Sequence, residues 1–175
     1  MINCFAQRGD QLNSQLWYEK MLASSVAVND ITLNTLIHSC VEESHVNHAV
    51  NYFDEFERRG LKVGNATFVA LLGVFAKAGD QKKATEYFSR MESYGLTPCR
   101  KIYNVMLDHF ANLADVKTTA EWFSKMQSAS IKPDSVSYCT VMKAAALSGD
   151  PVSAVTWFDK MQNASIPADH IPYNT

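Results

Sequence analysis

The sequence has little of what marks a membrane protein, a secreted scaffold or a charge-driven nucleic-acid binder. No apolar run approaches the roughly 18 residues that a spanning helix needs, so no membrane partner is expected. Charge is nearly balanced: 16 Lys and Arg against 18 Asp and Glu leave a formal net charge of −2. A protein held to nucleic acid by electrostatics alone is basic, and this one is not. The four cysteines, Cys4, Cys40, Cys99 and Cys139, are scattered with no Cys-x-x-Cys pair. That pattern reads as reduced thiols in a non-secreted protein. His45 and His48 could share a helix face, but no further ligands stand at suitable spacing, so no metal and no cofactor are expected. The opening 20 residues show neither a secretory nor an Arg- and Ser-rich transit pattern. Without a secretory signal, the glycosylation triplets at Asn65 and Asn163 carry no weight.

What the chain does have is a period. WYEKM (17–21), YFSRM (87–91), WFSKM (122–126) and WFDKM (157–161) are copies of one segment, and YFDEF (52–56) is a weaker copy. Their leading aromatics fall 35 residues apart each time, and Leu33, Phe68, Tyr103, Tyr138 and Tyr173 form a second series at the same spacing. A fixed period of this length means a solenoid of stacked modules.

Residues 100–134 show what one module builds. Ile102, Tyr103, Met106, Leu107, Phe110 and Ala111 form the stripe of an amphipathic helix. Ala114-Asp115 interrupts it, and a second stripe follows through Val116, Ala120, Phe123, Met126 and Gln127. The unit is therefore helix, turn, helix, turn, and the fold class is an all-α, right-handed α-solenoid. Gly9, Gly79 and Gly149 occupy the inner turn, each followed by an Asp suited to cap the second helix. Gly60 and Gly95 supply the outer turn, where Ser25, Ser130 and Ser165 replace glycine. Pro98 and Pro133 stop the second helices. The Phe and Met of the aromatic segment are expected to be inter-helix core, because a lone two-helix unit cannot bury such a face and its neighbours must. The tryptophans are expected in the same core with partly exposed edges.

These residues carry a resemblance. The chain resembles a pentatricopeptide repeat protein of the uniform 35-residue type. Its motif starts appear as LNTLI (33–37), YNVML (103–107) and YNT (173–175), and its close as SIKPD (130–134) and, more weakly, GLTPC (95–99). The related tetratricopeptide motif has a different length and small/large pattern. In phase, 1–29 is a partial repeat, 30–64, 65–99, 100–134 and 135–169 are repeats, and 170–175 starts another. The expectation is a piece of a longer array whose end faces are apolar and prone to self-association. Any targeting segment would then lie upstream.

The resemblance implies binding of single-stranded RNA at about one base per repeat, read by two or three side chains. It assigns the reader to the position after the Tyr-like residue, its partner to the repeat's last residue, and a base-sandwiching residue to the slot two before the Tyr-like one. By that assignment Asn104 and Asp134 form a uridine-preferring pair, with Lys101 in the sandwich slot. Asn34 pairs with Gly64, Val69 with Cys99, and Cys139 with Asp169. Asn174 opens a pair and Asn29 closes one; Ile31, Val136 and Ile171 keep the aliphatic sandwich slot, and Ala66 is a small version of it. Asp134 and Asp169 also suit helix capping. Lys77, Lys143 and Arg100 are the phosphate-contact candidates, opposed by Asp108, Glu42 and Glu43.

The function implied is a sequence-selective RNA-binding array in chloroplast or mitochondrial RNA processing, stability or translation. The alternative is a protein-interaction solenoid, for which the weak Val69/Cys99 pair and the near-neutral charge speak. No catalytic residues are expected: there is no His-x-Glu with Pro-Cys-x-x-Cys and no acidic cluster apart from the helical pattern to hold Mg²⁺.

Overall fold

A computed structural model of the chain describes residues 1–24, 26–41 and 45–166. The described residues are helical with short connections, and ten helices follow one another. They are α1 (Ile2–Ala6), α2 (Gln11–Ala23), α3 (Asp30–Ser39), α4 (Val46–Arg58), α5 (Asn65–Ala78), α6 (Gln81–Ser93), α7 (Arg100–Asn112), α8 (Val116–Ser128), α9 (Ser135–Leu147) and α10 (Pro151–Asn163). The sequence period reappears in the coordinates. Odd-numbered helices from α3 start at 30, 65, 100 and 135, and even-numbered ones start at 11, 46, 81, 116 and 151.

The chain forms two compact units, Met1–Thr97 and Pro98–Thr175. In the first, α1, α3 and α5 pack in a row, each against its own second helix, and α2 and α4 pack onto the first helix that follows. The second repeats this with α7 beside α9, α8 packed on both, and α10 against α9. First helices thus form one layer of each unit and second helices the other.

Local chemistry sets the boundaries. The carboxylates of Asp10, Asp80, Asp115 and Asp150 each accept from the backbone N–H three residues on, capping α2, α6, α8 and α10. Pro151 takes the first turn of α10, where its missing N–H costs nothing. The inner turns need a left-handed residue, and Gly79 (φ +71) and Gly149 (φ +73) supply it. Ala114 (φ +55), Ser130 (φ +59) and Ser165 (φ +55) adopt the same region without being glycine. Ser25 lies outside the described residues.

Most of the expected aromatic-segment core is buried; Met21 in the first copy and Phe158 in the last are only half-buried. Phe53 and Phe123 are buried, as are Met91, Met126 and Met161. The Phe53 ring meets Phe68 at 5.7 Å, Tyr87 at 5.5 Å and Tyr94 at 5.9 Å. Phe123 lies 4.9 Å from both Tyr138 and Trp157. The leading aromatics carry a cation over the ring three residues on: Lys20 on Trp17, Arg90 on Tyr87, Lys125 on Trp122 and Lys160 on Trp157, at 4.0–4.7 Å. On α7 all six residues of the expected stripe are buried. On α8 the stripe is corrected: the buried face runs through Thr119, Trp122, Phe123 and Met126, and Gln127 is exposed. Met126 and Phe123 define that face, and the next residue turns about 100° away from it.

Two outcomes follow for stability. Ala114→Gly should raise stability by about 1 kcal/mol in urea unfolding, because the left-handed region penalises a Cβ more than glycine's extra unfolded-state freedom costs. The capping carboxyls of Asp10, Asp115 and Asp150 titrate below their ordinary value, held by the side chains and then the backbone N–H groups of Asn13, Thr118 and Ser153. Their stabilisation is present above the unfolded carboxyl value of about 3.9 and is lost as pH falls through the lower folded values. Thermal melts should therefore be flat from about pH 5 to 7 and fall below about pH 4.

Candidate nucleic-acid interface

The described candidate readers, Asn34, Val69, Asn104 and Cys139, sit on first helices, and the second unit brings one candidate pair together. Asn104 is half-buried on α7. Its Nδ2 donates to Asp134 Oδ1 at 3.3 Å, across 30 residues of chain. Asp134 is the N-cap of α9, where its Oδ1 also accepts the Ser137 N–H at 3.0 Å. The sequence left capping and reading as two uses of this carboxylate; the cap is present, and it fixes the acid where Asn104 reaches it. Arg100 Nη1 approaches the other carboxylate oxygen at 3.3 Å. Partial burial opposes ionisation of Asp134, but the Ser137 backbone N–H, the Asn104 amide and the Arg100 guanidinium outweigh it, and the carboxyl titrates below its ordinary value. Beside the pair opens a cavity of about 510 Å³ lined by Cys99, Arg100, Lys101, Asn104 and Asp134. Lys101 is exposed, and Val136 is 48% exposed.

In the first unit Asn34 lies half-buried on α3, and its Oδ1 is buried without a hydrogen-bond partner. A buried unmet acceptor costs about 1–3 kcal/mol, so a donor brought to it would bind with that advantage. Asn34 is among the residues lining a cavity of about 520 Å³ that also takes in Asn3, Gln7, Ile31, His38 and Ala66. Gly64, its partner slot, offers only backbone, and its N–H reaches Thr67 Oγ1 at 3.4 Å. Ile31 is 68% exposed. Asn29 caps α3 by accepting from Thr32 N–H at 2.9 Å.

The remaining slots are weaker. Val69 is half-buried on α5, Cys99 is the half-buried N-cap residue of α7, and Cys139 is buried on α9. Asp169, Ile171 and Asn174 lie outside the described residues, as do Glu42 and Glu43. Lys143 Nζ pairs with Asp108 Oδ1 at 3.0 Å, so two of the three phosphate candidates, Lys143 and Arg100, already face a carboxylate. Lys77 is exposed near the end of α5. Sequence reasoning missed Ser137, whose hydroxyl lies 2.7 Å from Asn104 Oδ1. The only signal was the capping spacing Asp134-x-x-Ser137.

Comparison with known proteins follows this geometry. A family model described as the pentacotripeptide-repeat region of PRORP matches residues 1–167. The crystal structure of the pentatricopeptide repeat protein PPR10 from maize superposes with a TM-score of 0.79 at 27% identity, covering 99% of this chain and 25% of that one. PPR10 in complex with an 18-nt psaJ RNA element gives a TM-score of 0.85 at 24% identity, covering 98% and 25%. The PPR domain of Arabidopsis thaliana protein-only RNase P 1 in complex with tRNA gives 0.77 at 15% identity, covering 99% and 91%. This chain therefore spans about a quarter of the length of PPR10. No curated protein sequence matches it. With the family model covering all but its last eight residues, the chain belongs to the pentatricopeptide repeat family.

Proposed function

We propose that this chain is a single-stranded RNA-binding array whose first-helix layer reads bases, with Asn104 and Asp134 as its one complete reading pair and uridine as the preferred base there. The observation that carries the reading is the Asn104–Asp134 hydrogen bond at the mouth of an open cavity. The amide keeps a donor and an acceptor for a pyrimidine edge, while the carboxylate holds it in place. Lys101 and Val136 offer an alkyl stem and an exposed aliphatic surface to the faces of a base. Asn34 is a second, less selective slot. Val69/Cys99 and Cys139/Asp169 are slots of little hydrogen-bonding selectivity. The setting we assign is RNA processing, stability or translation in a chloroplast or mitochondrion, on the strength of family membership, with no catalysis by these repeats.

Binding by this stretch alone is expected to be weak. About three phosphate contacts would give a slope near −2 in log K against log salt, and Arg100 and Lys143 are paired internally.

Fluorescence titration with U-rich and A-rich single strands tests the reading. Asn104→Ala should weaken U-rich binding about tenfold, the ~1.4 kcal/mol within reach of a good amide–base contact, and A-rich binding much less. Absence of salt-dependent binding to any single-stranded pool would overturn the reading in favour of a protein-interaction solenoid. Asp108→Asn should release Lys143, tighten binding, and steepen the salt slope by about 0.7.

A further inference from the structure

The Asn104 amide is held at both ends, and the second hold comes from a residue outside the reading pair. Ser137 is fully buried on the first turn of α9. Its Oγ accepts the Asp134 N–H at 3.2 Å and lies 2.7 Å from Asn104 Oδ1 and 3.0 Å from Asp134 Oδ1. A serine hydroxyl has one proton, and the nearer acceptor is the Asn104 carbonyl. The amide nitrogen meanwhile donates to Asp134. Turning the amide over would set its oxygen against the carboxylate, forfeit the bond to Asp134, and force Ser137 to turn its proton from Asn104 to the more distant Asp134 Oδ1. One N–H and one oxygen lone pair of Asn104 stay free, in a fixed order.

That order matters for pyrimidines. Along the edge, uracil offers an acceptor at O4 beside a donor at N3. Cytosine in the same place offers a donor at N4 beside an acceptor at N3. An amide free to turn satisfies either base; an amide locked in one sense satisfies one and faces like with like on the other. We propose that Ser137 is a positioning residue that locks the Asn104 amide and thereby sets discrimination of uridine against cytidine at this slot. This rests on Asn104 reading a base. The first unit supplies the contrast: Thr67 keeps a hydroxyl where Ser137 stands, but Gly64 offers no carboxylate to hold the amide nitrogen, and Asn34 Oδ1 has no hydrogen-bond partner. Asn34 is therefore expected to take pyrimidines without separating the two.

The test is the ratio of Kd for ten-nucleotide oligocytidine to that for oligouridine, read by fluorescence anisotropy on the whole chain. Ser137→Ala should lower the ratio about fivefold, and Ser137→Thr, which keeps the hydroxyl, should restore it. Circular dichroism checks folding. If Ser137→Ala fails to fold, Ser137→Cys keeps the size, replaces a strong donor with a weak one, and should lower the ratio in the same sense. A merely structural cap would change stability and leave the ratio alone. If the ratio stays within twofold of wild type in folded Ser137 variants while Asn104→Ala abolishes it, the positioning role is overturned and the base-reading role stands. If Asn104→Ala leaves both affinities unchanged, base reading itself fails and the positioning role falls with it.

Discussion

A helix pair of this kind has an apolar face that only its neighbour can cover. Phe53 and Phe123 sit on second helices, yet their ring contacts include Phe68 and Tyr138 on the first helices that follow. Burying such side chains is worth about 1.5–3 kcal/mol each, and a single pair captures only part of it: Phe158, with no following first helix described, is half-buried where Phe53 and Phe123 are buried. Every copy must therefore present the same face at the same height, which is why the period holds at 35 residues without insertion. Strict spacing also aligns first helices side by side, so residues one period apart become lateral neighbours.

The functional geometry is a by-product of that alignment. Asp134 closes one module and caps the first helix of the next, so the acid reaches Asn104 from a place that helix stability already demands. Ser137 belongs to the same cap. The geometry of the proposed reading pair is built from capping chemistry, and its precision is inherited from the helix start. The same alignment pairs charges: Asp108 and Lys143 are one period apart on adjacent first helices and bond to each other.

The scaffold was legible because its signals are periodic. Helix pairs, Gly and Ser turn positions, Asp caps and the aromatic core each recur, so one misjudged residue such as Gln127 does not disturb the pattern. The site was legible only as positions. The pairing of Asn104 with Asp134 came from family resemblance, and the spacing that brings Asp108 beside Lys143 stood in the sequence without announcing an ion pair. Ser137 escaped because its proposed role depends on a hydroxyl proton choosing among three acceptors, Asn104 Oδ1, Asp134 Oδ1 and Met126 Sδ, which lie 33, 3 and 11 residues away. Composition and periodicity carry no trace of that choice. The backbone strain at Ala114 was equally hidden, since alanine at a turn looks innocuous until its φ is known.

The central claim is that a pyrimidine meets the Asn104 amide on the first-helix layer. The most direct measurement is a titration of ¹⁵N-labelled chain with oligouridine, followed through the Asn104 side-chain amide signals. The account predicts that these signals move in step with binding, together with the backbone signals of Lys101 and Val136, while those of the outer positions Lys125 and Lys160 stay in place. Movement confined to second-helix residues, with the Asn104 amide unchanged at saturation, would contradict it.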